Sequence, residues 1–424
     1  MKIRKINSLN GAVTVPGDKS VSHRAVMLGA LADGTTHITG FLKGADCLST
    51  IDCFRKLGID IEISDDMITV HGKGLKGLKK PAETLYTGNS GTTTRLLCGI
   101  LSAQNFDCDI TGDSSICKRP MGRVTKPLSL MGAKIDGEYC PLHISGGRLN
   151  AIEYNMPVAS AQVKTALILA ALYADGDTVI HEPAKSRDHT ELMLGAMGAD
   201  IEVNGLDIRI GKTTALKPQE IAVPGDISSA AFFLVAGCVM PNSEIEIKNV
   251  GINPTRTGII DVLKEMGADI SLYNIRTVAG ESTADITVRS SQLHGVTIRG
   301  DIIPRLIDEL PVIAVAGLFA EGTTTIADAG ELKVKETNRI RAVVDEFKKC
   351  GADISETDDG MIINGGKRLY GADFKTYGDH RMAMSLAIVG QMTDGECTID
   401  DDECVAVSYP EFFRDFYGLQ SISS

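Results

Sequence analysis

The sequence lacks the features that would indicate a membrane or nucleic-acid partner. Its 424 residues contain no long apolar run, so we expect no membrane-spanning helix. Residues 1–16 carry Lys2, Arg4 and Lys5 but no apolar segment behind them, which disfavours a signal or transit peptide. Positive charge is scarce too: the net charge is −12, and a general nucleic-acid-binding protein would normally be basic. We therefore predict a protein with neither a membrane nor a nucleic-acid partner.

Paired metal or redox ligands are also missing. The ten cysteines form no CxxC pair, and the eight histidines show no HExxH or other paired spacing. Several cysteines lie inside apolar runs, for example Leu97-Cys98-Gly99-Ile100. This pattern predicts buried, reduced thiols in a cytoplasmic protein and no metal site.

What the sequence does contain is an internal repeat, whose first signature is a helix end, a glycine and then a strand. Five copies read Leu57-Gly58-Ile59-Asp60-Ile61, Met131-Gly132-Ala133-Lys134-Ile135, Met197-Gly198-Ala199-Asp200-Ile201, Met266-Gly267-Ala268-Asp269-Ile270 and Cys350-Gly351-Ala352-Asp353-Ile354. A degenerate sixth is Tyr417-Gly418-Leu419. Each glycine is expected in the left-handed conformation that ends a helix.

A second signature interleaves with the first: a polar start, an apolar helix, an acid-Gly turn and a Thr-rich strand. Its copies occupy residues 20–40, 90–112, 160–182, 228–250, 308–330 and 380–401. We expect these helices to be buried because they are apolar on most faces, whereas amphipathic helices such as residues 339–349 should lie outside or against a sheet.

A chain of this length exceeds what one hydrophobic core usually serves, so we expect at least two domains. Six repeats divided into two groups of three would give two domains of similar size. The boundary falls near Pro224-Gly225-Asp226, and a matching Pro16-Gly17-Asp18 follows the first strand. The pattern predicts one domain of residues 17–225 and another of residues 226–424 that includes the N-terminal strand within residues 1–16.

The starts of the buried helices carry cations and small polar residues, and free N–H groups at a helix start bind anions. Lys19 and Arg24 are the clearest case, because natural sequences usually place an acid where these cations oppose the helix dipole. A bound anion would supply the compensation. Taken alone, Ser20, Ser160 and Ser228 would be ordinary N-caps, and Arg95 would be solvated surface.

At these residues the sequence resembles the 5-enolpyruvylshikimate-3-phosphate synthase family, in particular its second, more divergent bacterial branch. The matching segments span the chain in family order: Pro16 to Arg24, Gly88-Asn89-Ser90-Gly91-Thr92, Lys118-Arg119-Pro120, Ser160-Ala161-Gln162-Val163-Lys164, Lys335-Glu336-Thr337-Asn338-Arg339 and Gly378 to Met384. Together they are highly specific, although none is so alone.

The resemblance implies an α/β fold of two similar domains, each of three βαβαββ repeats in an inside-out α/β barrel, closing over a cleft that holds the active site. It implies transfer of the enolpyruvyl group of phosphoenolpyruvate to the 5-hydroxyl of 3-phosphoshikimate, with release of phosphate, on the route to chorismate and aromatic amino acids. It also implies small anionic substrates, no cofactor and no metal, and we expect a cytoplasmic monomer.

The resemblance further implies roles for individual residues. The 3-phosphoshikimate ligands are Lys19, Ser20, Arg24, Ser160, Gln162, Ser186, Arg187, Asp308 and Lys335. The phosphoenolpyruvate ligands are Lys19, Asn89, Gly91, Arg119, Gln162, Arg339 and Arg381. The catalytic residues are Asp308, Glu336 and Lys19, the two carboxylates forming the acid–base pair. Arginine forks suit the phosphate and carboxylate of phosphoenolpyruvate, and two carboxylates can manage the two proton transfers.

The sequence departs from the family pattern at three positions. Val407 replaces a lysine that one branch uses for phosphoenolpyruvate, Ala161 replaces a second serine and His189 replaces a tyrosine.

Three other functions fit the sequence less well. A UDP-N-acetylglucosamine enolpyruvyl transferase would use a loop cysteine such as Cys117, but its Gly-Ala-Lys-Asn start is absent. A non-enzymatic anion-binding scaffold would lack the carboxylates at Asp308 and Glu336, and an RNA-end-processing relative is disfavoured by the acidic charge.

Overall fold

The computed structural model describes residues 1–278 and 280–419, and the chain divides into two compact units. The N-terminal unit comprises residues 17–223 together with 277–281. The C-terminal unit comprises residues 1–16, 224–276 and the described part of 282–424. Each unit has its own hydrophobic core, and no residue belongs to both cores among those described.

Over the described residues the chain forms twelve α-helices, which alternate with strands. The helices are α1 Lys19–Leu31, α2 Ala45–Lys56, α3 Gly91–Ser102, α4 Gly122–Leu130, α5 Ala161–Ala171, α6 His189–Ala196, α7 Ile227–Val239, α8 Gly258–Glu265, α9 Leu310–Phe319, α10 Arg339–Lys349, α11 His380–Gln391 and α12 Phe412–Gly418. Short 3₁₀ helices occupy Ile116–Lys118, Gly300–Arg305, Gly330–Val334 and Glu403–Val407.

The strands assemble into one small sheet per repeat. They are β1 Asn10–Thr14, β2 Asp33–Thr39, β3 Asp60–Ile63, β4 Met67–Lys73, β5 Leu85–Tyr86, β6 Asp107–Thr111, β7 Lys134–Asp136, β8 Leu142–Ser145, β9 Glu153–Asn155, β10 Thr178–His181, β11 Ile201–Asn204, β12 Asp207–Ile210, β13 Glu220–Ala222, β14 Glu244–Gly251, β15 Asp269–Val278, β16 Glu281–Arg289, β17 Thr297–Ile298, β18 Thr323–Ile326, β19 Asp353–Glu356, β20 Met361–Asn364, β21 Asp373–Phe374 and β22 Thr398–Ile399.

In the part of the chain that the structure describes, five of the six sheets have four strands in a common order. In the sheet β9-β10-β12-β11, for example, β9 and β10 are parallel, and β12 is antiparallel to both β10 and β11. The parallel pair requires a crossover, which α5 supplies, and α6 leads to the closing hairpin. This is the predicted βαβαββ repeat. The sixth sheet is shorter, with only β21 and β22 paired in the described residues.

Two strands pair far from their neighbours in sequence. Strand β1 lies parallel to β14 in the C-terminal unit, and β13 lies parallel to β2 in the N-terminal unit. Each of these sheets therefore takes its first strand from a distant part of the chain.

The first helix of each repeat is buried, as its apolar sequence predicts. Every residue of α7 is buried, and α9 packs against both α7 and α11. In the N-terminal unit, α3 packs against both α1 and α5. The sheets and the amphipathic second helices therefore surround three central helices in each unit. No helix in the described ranges is long and apolar enough to span a membrane.

The glycine signature behaves as predicted in five repeats. Gly58, Gly132, Gly198, Gly267 and Gly351 have φ values of 87°, 94°, 83°, 97° and 90°. A strand follows each of them within three residues. The sixth copy differs, because Gly418 is the last residue of α12 and Leu419 follows it in helical geometry.

Candidate active site

The start of α1 holds the predicted cations of the N-terminal unit. The N-cap is Asp18, whose carboxylate accepts a hydrogen bond from the Val21 N–H at 2.9 Å. Lys19 Nζ lies 3.1 Å from Asp46 Oδ2. Asp18 and not Ser20 is therefore the N-cap of α1, so the interpretation of Ser20 as an ordinary cap is wrong. A bound anion beside Lys19 and Arg24 stays a prediction.

Arg24 joins the starts of three helices. Its Nε donates to Thr190 Oγ1 at 2.7 Å on α6, and its Nη2 donates to Thr165 Oγ1 at 2.9 Å on α5. Its Nη1 donates to the Ser20 carbonyl oxygen at 3.0 Å. The guanidinium is thus fixed in place, with 4% of the residue exposed.

His23 lies between these cations. Its Nδ1 is 2.7 Å from Thr50 Oγ1, and the residue is 1% exposed. Burial first, and then the positive charges of Lys19 and Arg24, hold the pKa of His23 well below its usual 6.5. The ring therefore stays neutral and adds no charge to the group.

The start of α3 brings together predicted phosphoenolpyruvate ligands. Arg119 Nη2 donates to Asn89 Oδ1 at 2.5 Å and to Ser115 Oγ at 3.0 Å. Gly91 faces the same cations, because a Cβ there would lie 3.1 Å from Arg95 Nη1 and 3.5 Å from Arg119 Nη1.

Arg95 is a residue that sequence reasoning missed. It donates from Nη1 to Gln162 Oε1 on α5, and Gln162 Nε2 donates to Thr92 Oγ1 at 3.1 Å. The interpretation of Arg95 as solvated surface is wrong. The available signal was its position one helical turn after Gly91, which places both residues on one face of α3.

The remaining predicted ligands of this unit differ in whether their side chains already form hydrogen bonds within the protein. Ser160 occupies the N-cap position of α5, yet its hydroxyl makes no capping hydrogen bond. The Ser186 hydroxyl donates to Glu182 Oε1, and Ser186 is 3% exposed. Arg187 is half-buried.

In the C-terminal unit the predicted catalytic residues converge on Arg339. Its Nε donates to Asp379 Oδ2 at 2.8 Å, its Nη2 to Glu336 Oε2 at 2.6 Å and its Nη1 to Asp308 Oδ1 at 3.4 Å. Lys335 Nζ lies 3.2 Å from the same Asp308 oxygen. The predicted acid–base pair, Asp308 and Glu336, therefore shares one guanidinium.

Arg339 is 1% exposed, so its charge depends on these partners. Burial opposes the charge, but Asp379, Glu336 and Asp308 together raise the pKa of Arg339 above its usual range. Contact with phosphoenolpyruvate would require Arg339 to share or exchange one carboxylate, and that role stays a prediction.

Arg381 belongs to a second buried network of the same unit. Its Nη1 lies 3.9 Å from Glu309 Oε1, and the Ser228 hydroxyl donates to the same oxygen. Arg256 Nη2 donates to Ser228 Oγ at 2.8 Å and to Asp226 Oδ1 at 3.0 Å. Neither Glu309 nor Arg256 was among the candidate site residues predicted from the sequence.

Ser228 is not the N-cap of α7, because Asp226 fills that position and accepts from the Ser228 N–H at 2.9 Å. The interpretation of Ser228 as an ordinary cap is therefore wrong. Its hydroxyl connects Arg256 to Glu309 instead.

Neither Val407 nor the one metal-like group adds to these two sets of residues. Val407 is the last residue of a 3₁₀ helix and is half-buried. Because its side chain is apolar, it offers no cation. Within the described residues, only Asp60, Glu62 and His71 approach metal-ligand spacing; the two acids are exposed and His71 is half-buried. Such acidic groups are common on protein surfaces, and this one supports no metal assignment.

The chain is similar to known proteins over its whole length. The profile of the family described as EPSP synthase (3-phosphoshikimate 1-carboxyvinyltransferase) matches residues 3–416. A 3-phosphoshikimate 1-carboxyvinyltransferase of Geobacillus kaustophilus is 58% identical over 420 residues, which cover 98% of each chain. One of Thermoanaerobacter sp. is 56% identical over 419 residues, 98% of this chain and 99% of the relative.

Solved structures agree with these relatives. An EPSP synthase from Acinetobacter baumannii superposes with a TM-score of 0.88 at 46% identity, covering 99% of this chain and 98% of the other. The enolpyruvyl transferase NikO from Streptomyces tendae shares the fold. It superposes with a TM-score of 0.82 at 18% identity, covering 99% of this chain and 96% of the other. The chain belongs to the EPSP synthase (3-phosphoshikimate 1-carboxyvinyltransferase) family.

Proposed function

We propose that the chain is a 3-phosphoshikimate 1-carboxyvinyltransferase. It joins C2 of phosphoenolpyruvate to the 5-hydroxyl oxygen of 3-phosphoshikimate and releases inorganic phosphate. The observation that carries the proposal within the site is the pair Asp308 and Glu336, held by Arg339 with Lys335 beside them. The full-length relatives named for this activity support the same reaction.

The reaction needs two opposite proton transfers at one carbon. A proton reaches the methylene carbon of phosphoenolpyruvate while the 5-hydroxyl loses its proton and its oxygen adds to C2. The methyl carbon formed by this addition then loses a proton as phosphate leaves, so the enol ether is formed without net oxidation. One carboxyl of the Asp308–Glu336 pair delivers the carbon proton, and the other accepts the hydroxyl proton.

The side chains of the N-terminal unit suit the anionic groups of the substrates. Ser20, Arg24, Ser160 and Arg187 bind 3-phosphoshikimate, whereas Asn89, Gly91 and Arg119 bind phosphoenolpyruvate, and Lys19 contacts both substrates. Gln162 contributes to both. The hydrogen bonds that fix Arg24 and Arg119 hold these cations ready before a ligand arrives, which lowers the ordering cost of binding.

Phosphate release tests the proposal. Folded protein should release phosphate from phosphoenolpyruvate only when 3-phosphoshikimate is present, and mass spectrometry should find the carboxyvinyl ether. Shikimate without its phosphate is the control, and its rate should be far lower. Folded protein that shows no release dependent on 3-phosphoshikimate would refute the proposal.

The sister reaction on UDP-N-acetylglucosamine is the alternative that the assay should exclude. Cys117 is half-buried, with Sγ 3.6 Å from the Gly112 carbonyl oxygen. If no cysteine takes part, alkylation of Cys117 should leave phosphate release largely intact. Abolished activity with a native circular dichroism spectrum would favour the sister mechanism.

We also propose that the enzyme acts as a cytoplasmic monomer without nucleic-acid or membrane partners. The net charge of −12 supports the absence of a nucleic-acid partner, and the ten free cysteines support a cytoplasmic location. Light scattering coupled to size exclusion should give the mass of one chain, 45.2 kDa.

A further inference from the structure

A buried charged cluster lies beside the Ser186–Arg187 segment of the N-terminal unit. Lys164 Nζ lies 2.9 Å from Glu182 Oε2 and 2.7 Å from Glu191 Oε1. The side chains of Lys164 and Glu182 are wholly buried, and that of Glu191 is 3% exposed. Apolar residues of similar volume often replace such a pair at no loss of stability, so stability alone does not account for the cluster.

Glu182 and Lys164 together hold all three polar groups of Ser186. Glu182 Oε1 accepts from the Ser186 N–H at 3.2 Å and from the Ser186 hydroxyl. Lys164 Nζ donates to the Ser186 carbonyl oxygen at 3.4 Å. The peptide groups on both sides of Ser186 are therefore fixed, including the one that leads into Arg187.

The two residues that bind Ser186 are themselves held by regular secondary structure. Lys164 lies on α5, one turn after Ser160, and Glu182 directly follows β10. Residues 183–187 themselves lie outside any helix or strand. Side-chain hydrogen bonds from Glu182 and Lys164 therefore hold the backbone of this segment at Ser186, where no helix or strand does so.

We propose that Glu182, held by Lys164, is a positioning residue that sets the Ser186–Arg187 segment so that Arg187 meets the phosphate of the acceptor substrate. This inference rests on the proposed function, in which Arg187 binds 3-phosphoshikimate. Ser186 then acts through its backbone, because its hydroxyl is committed to Glu182.

Two glutamates of the same cluster provide a matched comparison. Glu182→Gln and Glu191→Gln each remove one negative charge next to Lys164, but only Glu182 contacts Ser186. For Glu182→Gln the KM for 3-phosphoshikimate should rise on the order of tenfold. Its kcat and its KM for phosphoenolpyruvate should stay within about twofold, and Glu191→Gln should leave both KM values within about twofold.

Thermal unfolding of both variants shows how much each loses in stability. Equal loss of stability with unchanged KM values for both would overturn the proposal and leave the cluster a structural one. If Glu182→Gln does not fold, Glu182→Asp replaces it. That variant keeps the charge for Lys164 but withdraws the carboxylate from Ser186, and the same rise in KM is expected.

A third variant separates positioning from general damage. In an Arg187→Ala background, Glu182→Gln should raise the KM for 3-phosphoshikimate no further, because its effect passes through Arg187. Additive effects would overturn the proposal. The unmodified enzyme is assayed in parallel: its inactivity would refute the transferase function itself, whereas an active enzyme with an unchanged Glu182→Gln KM would refute only the positioning role.

Discussion

At the scale of single residues, Arg339 shows how the proposed reaction and the packing are linked. A buried cation is stable only when it is paired, and Arg339 is paired with three carboxylates. Asp379 belongs to the helix start of α11, so it fixes the guanidinium to a rigid element. The other two are the proposed acid–base pair, which the same cation then orients.

Neutral isosteres of the two carboxylates test that assignment. Asp308→Asn and Glu336→Gln keep the side-chain shape but cannot exchange a proton, so each should lower kcat about 10²- to 10⁴-fold. The measurement is initial-rate phosphate release at saturating substrates. Asp345→Asn is the control, because Asp345 lies on α10 and binds the exposed Arg341 at 2.8 Å. Near-normal turnover in both Asp308→Asn and Glu336→Gln would contradict the roles.

His23 should make stability depend on pH. Its pKa is depressed in the folded state, so below the unfolded value of about 6.5 only the unfolded chain binds the proton. Stability should therefore fall as pH drops below 6.5, by up to about 1.4 kcal/mol per pH unit for this one group. Urea unfolding at several pH values measures the slope. His23→Gln should reduce it, and an unchanged slope would contradict the account.

The site could be predicted only in part, and the missed residues have a common physical cause. Motifs indicated Lys19, Arg24 and Arg381 as candidate ligands, because each stands in a recognisable local pattern. Arg95 and Gln162 are 67 residues apart, and Ser228 and Glu309 are 81 residues apart. Such pairs meet only through tertiary packing, which no local spacing reveals. The contacts of Lys164 with Glu182 and Ser186, which lie 18 and 22 residues away, were missed for the same reason.

At the scale of elements, glycine positions were predictable and N-caps were not. A left-handed C-terminal glycine is a local backbone requirement, so its pattern can be read directly. The position of an N-cap depends on which of several neighbouring polar side chains accepts a hydrogen bond from the first free N–H groups of the helix. Asp18 and Asp226 lie two residues before Ser20 and Ser228, and a carboxylate gains additionally from the helix dipole.

The start of α10 offers a test of how an element supports catalysis. Asn338 is the N-cap, and its Oδ1 accepts from the Arg341 N–H at 3.2 Å. Asn338→Ala should destabilise the C-terminal unit by about 1 kcal/mol and lower kcat, because Glu336 lies two residues before the cap. Asn338→Asp keeps an acceptor and should preserve both quantities. Chemical unfolding and phosphate release measure them; equal effects of the two variants would contradict a capping role.

At the scale of the whole molecule, the two long-range strand pairings decide which chain segments form a unit. Gly17 shows why the chain is constrained after β1, since a Cβ there would lie 1.9 Å from the Gly40 carbonyl oxygen. The two Pro-Gly-Asp segments, at residues 16–18 and 224–226, predict the domain boundaries, and that division stays a prediction. The register of β1 on β14 and of β13 on β2 could not be derived, because a strand's partner depends on the assembled sheet.

Separate expression of the two units tests this architecture. Residues 17–223 contain β13 and a complete core, so this fragment should fold cooperatively. It omits residues 277–281 of the unit and with them the contact of Glu281 Oε1 with His189 Nδ1, 2.5 Å apart. Residues 224–424 alone should fail to fold stably, because they lack β1 and its apolar residues Leu9, Val13 and Val15.

Burial of those three side chains contributes roughly 5 kcal/mol or more, which is comparable to the whole stability of many domains. Joining residues 1–16 to residue 224 through a flexible linker should therefore restore a cooperative thermal transition by circular dichroism. A fragment of residues 224–424 that melts as cooperatively as the fused form would show that β1 is dispensable. The pairing of β1 with β14 would then not be required for the C-terminal unit to fold.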